Sequence, residues 1–408
     1  MTNQPTYYLV GIKGVAMTAL AQVLVDAGCT VLGSDVATSF VTEPQLQRLA
    51  IKCDPFTASI PSEVDQVVYT AAHQAHLHPQ VQEAVARGIP TYSHAEALAQ
   101  WFNQKQGVAV CGVGGKSTIS AMITWILDRA HRAPSYAVGV GDIIGLNKTG
   151  RWDSGTTFVA EADEYVTDPV GVQQGKTLIP RFHYLHPTIT VASTISFDHP
   201  DVYKNEAHTR EVFTEWFKQL PSSGVLISSD ENRHWLEKAI SHVPIIWFGE
   251  ASESEFVLTS DPVIIEQRSS VTLQTGGESF TITLAVPGAY NMMNAVAAIA
   301  AAKQLGISVA DSIEHLASFR STKRRFEHVG TFNDIECYDD YAHHPRELTV
   351  VLEAARQWFG PRRLVVAFQP HTYSRTKALF ADFVTALSTP SELLLLDIFS
   401  SARESADP

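Results

Sequence analysis

The chain has 408 residues, of which 45% are hydrophobic and 18% charged, and its net charge is −13. This composition is typical of a globular protein with several domains, and an acidic balance without Lys/Arg-rich runs argues against nucleic acid as a partner. No stretch approaches the ~20 apolar residues of a membrane span, so we expect no membrane insertion. The cysteines form no CxxC pair, which predicts reduced thiols and a cytoplasmic protein: Cys29, Cys53, Cys111 and Cys337.

Short apolar runs alternate with helical patterns over the first hundred residues, which predicts a parallel sheet covered by helices. The predicted elements are strands at Tyr7–Val10, Thr30–Leu32 and Gln66–Tyr69, and helices at Val15–Ala27 and Pro79–Arg87. The polar run Asn103–Gly107 is a plausible linker. We therefore assign residues 1–104 to a first, Rossmann-like domain.

A second series of strands and helices begins at Val108 and predicts a central α/β domain over residues 105–320. Its predicted elements are strands at Phe158–Ala162, Thr188–Ser193 and Gly224–Ser229, and helices at Ala207–Leu220, Asn291–Gln304 and Val309–Ser318. Between Val243 and Val286 short strands alternate with polar turns, for example Ser270–Gln274 and Phe280–Leu284. That pattern predicts an antiparallel edge on the central sheet.

A third αβ unit follows a predicted hinge at Ser321–Arg325 and occupies residues 321–408. Its predicted elements are strands at Glu336–Asp339, Leu364–Phe368 and Leu393–Ile398, and helices at Arg346–Phe359 and Thr376–Leu387. We expect one sheet of about three strands, a Rossmann-like domain that lacks its last part, and therefore a chain that catalyses poorly alone. Oligomeric state is not predictable from these patterns.

The run "GVGGKS", Gly112 to Ser117, lies between a predicted strand and a helix. Its glycines allow backbone N–H groups to converge on an anion, and the helix amino terminus adds its dipole. Lys116 supplies a fixed positive charge and Ser117 a hydroxyl suited to Mg²⁺. The pattern predicts a phosphate-binding loop, the simpler alternative being a glycine turn that only lets strand and helix pack.

Acidic residues and a histidine end the next predicted strands. Glu161 and Asp163 close one strand, and Asp198 and His199 close another. Ligands of open α/β sheets bind at the carboxyl ends of the strands, where a carboxylate can hold the Mg²⁺ that bridges phosphates. A solvated acidic turn and a structural histidine are the alternatives when each motif is taken alone.

A weaker glycine loop lies near the amino terminus. Gly11 and Gly14 fall between strand and helix, and Asp35 ends the following strand, as in a dinucleotide-binding fingerprint that has only two of its glycines. In the third unit, His343 and His344 are adjacent, so we expect a helix cap or ligand loop there rather than a shared metal ion. A cationic cluster suited to phosphate or carboxylate follows: His371, Arg375 and Lys377.

Two classes of function remain alternatives at this point. The glycine loop with Asp35 is compatible with an NAD-dependent oxidoreductase, although Lys116 and Ser117 together with Glu161 and His199 argue against one. A nucleotide-binding protein without catalytic turnover is the other alternative.

The order of these motifs along the whole chain resembles that of the Mur ligases of peptidoglycan synthesis. The motifs that carry the resemblance are "GGKST", "EADE", "DH", "PGAYNMMN", "RRFE", "DDYAHHP" and "FQPHTYSRT". "EADE" resembles the branch that joins L-alanine to the carboxylate of UDP-N-acetylmuramate, and the related ligase that adds a murein peptide instead. The resemblance implies an ATP- and Mg²⁺-dependent amide-forming ligase with three α/β domains and an acyl-phosphate intermediate.

The resemblance also implies site residues. The residues expected to bind ATP are Gly112, Val113, Gly114, Gly115, Lys116, Ser117, Thr118, Asn291, Asn294, Arg325 and Asp340. Those expected at the sugar-nucleotide or amino-acid sites are Gly11, Gly14, Val15, Ala16, Met17, Thr18, Asp35, His344 and Arg375. Ser117, Glu161 and His199 are the expected metal ligands, and catalysis is expected to depend on Lys116, Glu161, His199 and Arg325.

The sequence departs from the family pattern at several of these motifs. Gly114 stands where this branch usually has histidine, and Tyr290 replaces a usual histidine. Lys13 and Ala16 stand where the amino-terminal loop usually has glycines, and Thr194 and Ser196 replace a usual asparagine and glutamate. We expect the changes at Thr194 and Ser196 to weaken the local polar network before "DH".

Overall fold

The computed structural model describes residues 4–199 and 202–399, which form three successive α/β units. Within those ranges, the helices are all too short or too polar to cross a bilayer. The first unit is a five-stranded parallel sheet with strand order β3-β2-β1-β4-β5. Its strands are β1 Thr6–Val10, β2 Thr30–Asp35, β3 Cys53–Pro55, β4 Gln66–Tyr69 and β5 Thr91–Ser93. Its helices are α1 Val15–Asp26, α2 Glu43–Arg48, α3 Pro79–Ala86 and α4 His94–Phe102.

The central unit is built on an eleven-stranded sheet. Its strands are β6 Gln106–Cys111, β7 Ser135–Ala137, β8 Gly150–Arg151, β9 Thr157–Glu161, β10 Ile189–Ala192, β11 Val225–Ser229, β12 Ile245–Gly249, β13 Phe256–Leu258, β14 Val263–Ile265, β15 Arg268–Thr275 and β16 Glu278–Leu284. Its helices are α5 Lys116–Arg129, α6 Pro169–Gln173, α7 Glu206–Phe217, α8 Arg233–Ala239, α9 Ala289–Gln304 and α10 Val309–Leu316. The middle of the sheet is parallel, with β6 between β10 and β9, and β13 to β16 form the predicted antiparallel edge.

The core of the central unit explains why α5 and α9 are its best-buried helices. The apolar faces of both helices join strand residues such as Val108, Val110 and Val191 in one cluster. Because parallel strands are covered on both faces, β6 is a continuous apolar run rather than an alternating one. This packing fixes the start of α5 at the carboxyl end of β6, where the phosphate-binding loop was predicted.

The third unit corrects one expectation. Its strands are β17 Glu327–Phe332, β18 Ile335–Asp339, β19 Val365–Phe368 and β20 Glu392–Leu395, with helices α11 Pro345–Phe359, α12 Tyr373–Ala378 and α13 Phe380–Leu387. Within the described part of the chain these strands form two pairs, β17 with β18 and β19 with β20, so the single sheet of about three strands was wrong. The helix predicted across Thr376–Leu387 is also divided, at Leu379.

A buried aspartate, Asp142, joins all three units. The Arg48 guanidinium lies 2.9 and 3.0 Å from its carboxylate oxygens, and Gln45 donates to the same group at 3.2 Å. The Asp142 carbonyl accepts from the backbone N–H of Lys323, in the predicted hinge, at 2.9 Å. Asp142 of the central unit therefore contacts both the first unit and the hinge, an arrangement that we call the Asp142 junction.

Candidate active site

The loop between β6 and α5 has the backbone geometry of an anion-binding turn. Gly112 and Gly115 have φ angles of 111° and 78°, which residues with a Cβ rarely adopt. A Cβ at Gly112 would meet the Ser193 hydroxyl oxygen at 2.3 Å, and one at Gly115 would meet Asn294 Oδ1 at 2.3 Å. By contrast, a Cβ at Gly114 would have no neighbour within 4 Å. Glycine is therefore required at two positions, whereas Gly114 has room for a larger side chain.

Lys116 begins α5 and is held by the loop and by a buried carboxylate. Its ammonium donates to the Gly112 carbonyl at 2.8 Å and to both Glu164 oxygens at 2.9 and 2.8 Å. The Glu164 side chain is 3% exposed. Burial opposes the charged form of Lys116, but the carboxylates of Glu164 and Asp163 outweigh burial and raise its pKa. The lysine is a fixed positive charge at the carboxyl end of β6.

Glu161 ends β9 beside Ser117. Its carboxylate accepts from the Gly139 backbone N–H at 2.9 Å and from the Ser117 hydroxyl. Burial raises the pKa of Glu161, while the Ser117 hydrogen bond and the Lys116 charge lower it in part. Thr118, the next residue of α5, is buried. The predicted carboxylate and hydroxyl therefore lie side by side at adjacent strand ends.

A second cluster of side chains consists of two carboxylates and His199. Ligand atoms of Glu164, Asp198 and His199 all lie within 4.8 Å of one another, the spacing of a metal-binding cluster. Burial lowers the pKa of His199, but the Glu164 hydrogen bond and the Asp198 charge outweigh it, so the pKa is raised. Sequence reasoning missed Glu164, although it is the last residue of the quoted "EADE" motif. Its role depends on the chain turning back toward Lys116, which no local pattern reveals.

The residues predicted near adenine lie at the start of α9, against the phosphate-binding loop. Asn291 donates to the Pro287 carbonyl at 2.7 Å, and Asn294 donates to Asn291 at 3.3 Å. Burial raises the pKa of Tyr290, which also hydrogen-bonds to Asn291. The two asparagines are therefore brought to the loop through the Gly115–Asn294 contact.

Arg325 extends from the hinge toward this site. Its charge acts on Glu161, Tyr290 and Asp340. Among the described residues its buried Nε has no hydrogen-bond partner, which suits a group that meets an anionic ligand. The Asp340 carboxylate accepts from the N–H groups of Phe326 and Ala342 at 2.8 and 2.7 Å, and burial raises its pKa.

Two residues of the third unit, Arg375 and His344, also lie near the Glu164–Asp198–His199 cluster. Arg375 and His344 both interact electrostatically with Asp198, and burial lowers the pKa of His344. His344 caps α11, accepting from the Arg346 N–H at 3.2 Å, as expected for the adjacent histidines. The structure therefore brings the third unit to the same edge of the central sheet.

The amino-terminal glycine loop precedes α1. Gly11 has a φ of 83°, and a Cβ there would meet Thr70 Cγ2 at 2.5 Å. Asp35 ends β2 as predicted and accepts from the Lys13 N–H at 2.8 Å. Thr18 is buried and donates to the Ile12 carbonyl at 2.9 Å. Asp35 and Thr18 thus stabilise the loop itself.

A cleft of about 850 Å³ lies beside this loop and reaches the third unit. Its first-unit side includes Gly14, Val15, Ala16 and Met17, at the start of α1. Arg181 contributes from the central unit, and Arg324 together with residues 339–343, which include Asp340, lines the third-unit side. Four predicted substrate residues therefore line the cleft, whereas Gly11, Thr18, Asp35, His344 and Arg375 are not among its lining residues.

Together the fold and the site define an α/β nucleotide-binding protein, with a phosphate-binding loop in its central unit and a cleft between its outer units. Family models match most of the chain: "Mur ligase family, catalytic domain" at residues 6–106, "Mur ligase middle domain" at 110–302 and "Mur ligase, glutamate ligase domain" at 324–407. The chain belongs to the Mur ligase family.

Curated relatives cover nearly the whole chain. It is 34% identical to the UDP-N-acetylmuramate–L-alanine ligase of Desulfitobacterium hafniense, over 97% of this chain and 85% of that protein. It is 35% identical to the ligase of the same name from a Geobacter species, over 97% and 83%.

Solved structures share the fold. UDP-N-acetylmuramate-alanine ligase MurC from Thermotoga maritima gives a TM-score of 0.80 at 23% identity, over 98% of this chain and 86% of that one. A murein peptide ligase from Psychrobacter arcticus gives 0.72 at 22%, over 97% and 91%. MurF of Thermotoga maritima, solved in complex with ADP, gives 0.61 at 14%, over 90% and 81%. These similarities confirm the three-domain α/β fold that the sequence predicted.

Proposed function

We propose that this protein joins the amine of L-alanine to the carboxylate of UDP-N-acetylmuramate and converts ATP to ADP and phosphate. The observation that carries the proposal is the grouping of Lys116, the Ser117–Glu161 pair and the Glu164–Asp198–His199 cluster at adjacent strand ends. The curated relatives named for this reaction support the choice of substrates. Domain boundaries near residues 104 and 320 belong to the same proposal.

The donor set fits ATP with a magnesium ion. Mg²⁺ prefers oxygen ligands, and Ser117, Glu161, Glu164 and Asp198 offer hydroxyl and carboxylate oxygens, with His199 beside them. A bound Mg²⁺ would neutralise phosphate charge and orient the terminal phosphate for in-line attack. Backbone N–H groups around Gly112–Ser117 and the ammonium of Lys116 would hold the phosphates, and Asn291 and Asn294 the adenine.

The side chains of the site would position the substrates and stabilise the charge of the transferred phosphoryl group. A carboxylate resists attack by an amine, because its charge is delocalised and oxide is a poor leaving group. In the proposed reaction the substrate carboxylate attacks the γ-phosphorus and ADP leaves. The amine then attacks the acyl carbon, phosphate leaves and the nitrogen loses a proton. Lys116 and Arg325 would stabilise the charge that develops on the transferred group.

The cleft between the first and third units is proposed as the sugar-nucleotide site. Its first-unit wall begins at the amino terminus of α1, where N–H groups favour a diphosphate. The proposal places the protein in the cytoplasm, since Cys29, Cys53, Cys111 and Cys337 are all unpaired thiols, as in a reducing compartment.

Phosphate release tests the function directly. The purified chain is incubated with ATP, Mg²⁺ and UDP-N-acetylmuramate, and phosphate is measured with and without L-alanine. Phosphate release that requires L-alanine supports the proposal. Release with a murein tripeptide instead of L-alanine would identify the peptide ligase, and nucleotide binding without release under either condition would contradict ligase turnover. Formation of the amide product is checked by mass spectrometry.

A further inference from the structure

The first-unit side of the cleft includes several segments, and Lys13 connects two of them. One is the start of α1, and the other is residues 38–41, which we call the 38–41 loop. Lys13 precedes the first segment and reaches the second from behind. It is 7% exposed and is not among the residues that line the cleft. A long side chain is therefore buried between the two parts of one binding wall.

The Lys13 ammonium uses all three of its donors on the segment that carries this loop. It donates to the carbonyls of Val36 and Thr38 at 3.0 and 2.9 Å and to Glu43 Oε1 at 2.9 Å. The Lys13 carbonyl in turn accepts from the Thr42 hydroxyl. One residue thus fixes the chain on both sides of the 38–41 loop.

Glu43 completes the arrangement. Its second oxygen accepts from the Ser39 hydroxyl at 2.7 Å, and Lys13 also lies 5.9 Å from the centre of the Phe40 ring. Charge-assisted hydrogen bonds of this kind are stronger than neutral ones. Removal of the ammonium would leave two carbonyls and a carboxylate without their donor, so the loop would lose its fixed position.

We propose that Lys13 is a positioning residue that sets the affinity for the sugar nucleotide by holding the 38–41 loop against the start of α1. The inference rests on the proposed function, because it takes the cleft to be the sugar-nucleotide site. Lys13 does not touch the substrate. A loop that is already ordered does not have to be immobilised when the ligand binds, which favours affinity.

The test compares Lys13→Met, Glu43→Gln and the double variant with the wild-type chain. Lys105→Met is the matched control, because the Lys105 ammonium also binds backbone carbonyls, but at Asp153 and Gly155, away from the cleft. The dissociation constants for UDP-N-acetylmuramate and for ATP are measured by calorimetry, kcat and KM by phosphate release, and amide exchange over residues 36–43 by mass spectrometry.

We expect Lys13→Met to weaken UDP-N-acetylmuramate binding about tenfold or more and to accelerate exchange over residues 36–43. ATP affinity and kcat at saturating substrate are expected to stay within about twofold. Glu43→Gln is expected to act in the same direction, and the double variant to show less than the sum of the two effects. Lys105→Met is expected to lower thermal stability without changing the affinity for UDP-N-acetylmuramate relative to that for ATP.

Other outcomes would overturn the inference. Unchanged affinity in Lys13→Met, or equal weakening of both ligands, would assign Lys13 a purely structural role. If Lys13→Met fails to fold, unchanged affinity and unchanged amide exchange in Glu43→Gln would also contradict the positioning role. Failure of the wild-type chain to bind UDP-N-acetylmuramate would contradict the proposed function. In that case unchanged exchange in Lys13→Met would contradict the positioning role separately.

Discussion

A substitution of Lys116 would affect both the activity and the stability of the protein. As the proposed phosphate ligand, the lysine is expected to be needed for turnover, and as the partner of Glu164 it neutralises a carboxylate whose side chain is only 3% exposed. A buried carboxylate without its partner destabilises a fold by about 3 kcal/mol or more. Loss of activity after a single substitution therefore mixes chemistry with stability.

A paired substitution separates the two roles. Lys116→Met is expected to abolish turnover and to lower the free energy of unfolding by about 3 kcal/mol. Lys116→Met combined with Glu164→Gln is expected to regain most of that stability, because no charge is left unpaired, and to remain inactive. Urea unfolding and phosphate release provide the two measurements. Near-normal turnover in either folded variant would remove Lys116 from the ATP site.

His94 predicts an acid-sensitive fold. Burial lowers the pKa of its ring from 6.5 to about 4, and the ring lies 3.1 Å from the Ala16 carbonyl, in the cleft wall. Between these pH values the unfolded chain binds the proton more strongly, so stability is present above pH 6.5 and is lost as the pH falls toward 4.

The pH dependence of unfolding tests this assignment. We expect His94→Gln to reduce the loss of stability over this window by about 2 kcal/mol relative to the wild-type chain. Thermal unfolding at a series of pH values gives the comparison, with His183→Gln, at an exposed position, as the control. Parallel curves for His94→Gln and the wild type would show that this ring does not carry the effect.

The residues that sequence reasoning found and missed differ in how local their signal is. Lys116 and Ser117 follow a strand after a short loop and Glu161 ends one, so a strand prediction places them at the same edge. Glu164 and Lys13 act through partners 48 and 30 residues away, Lys116 and Glu43. No periodicity encodes those contacts, which exist only after the segments pack.

At the scale of elements, α5 and α9 meet at a contact that leaves no space. Asn294 on α9 lies where a Cβ on Gly115 would be, whereas Gly114, one residue earlier, faces open space. The close approach of α5, which carries Lys116, to α9, which is predicted to contact adenine, therefore depends on the absence of a side chain at Gly115.

Alanine at each of these glycines gives a matched pair. Gly115→Ala is expected to destabilise the fold by about 1–3 kcal/mol and to raise the KM for ATP, because φ is 78° there and Asn294 must move. Gly114→Ala is expected to change both by little. Calorimetry and initial rates measure the two effects, and equal behaviour of the variants would argue against the steric explanation.

Elements with strong local patterns were predicted to within a few residues, and the third unit shows why others were not. Gln66–Tyr69 matches β4, and Ala289–Gln304 extends the predicted α9 by two residues. The predicted helix across Leu379 has no Gly or Pro to interrupt it, yet the helix ends at Ala378 and a second one begins at Phe380. Strand partners in that unit depend on tertiary contacts, which periodicity does not encode.

At the scale of the molecule, the hinge is attached rather than free. Ser321 and Thr322 pair with the loop that carries Asp142, and Ser321 and Arg324 have φ angles of 71° and 61°. Movement of the third unit about these residues remains a prediction. If the third unit moves, its movement acts directly on the hydrogen bond between Lys323 and Asp142.

Asp142→Asn tests the junction. We expect a loss of about 1–3 kcal/mol in stability, since Asp142 is buried and Arg48 loses a charged partner. We also expect faster proteolysis at residues 321–325 and a lower kcat, because the Lys323 ammonium, 4.0 Å from Asp142 Oδ2, loses a charged partner as well. Asp26→Asn is the control, because its ion pair with Lys148 also joins the first and central units but is more exposed. Equal effects of the two substitutions would show that the junction has no special role.

The Asp142 junction lies at the end of a continuous set of contacts. Glu43, which Lys13 holds, begins α2, the helix from which Gln45 and Arg48 reach Asp142, and the Asp142 carbonyl binds Lys323. A ligand that displaces α2 would therefore act on the hinge as well. Thermodynamic reciprocity then requires that closure of the third unit change the affinity for the sugar nucleotide by the same factor by which the sugar nucleotide changes closure.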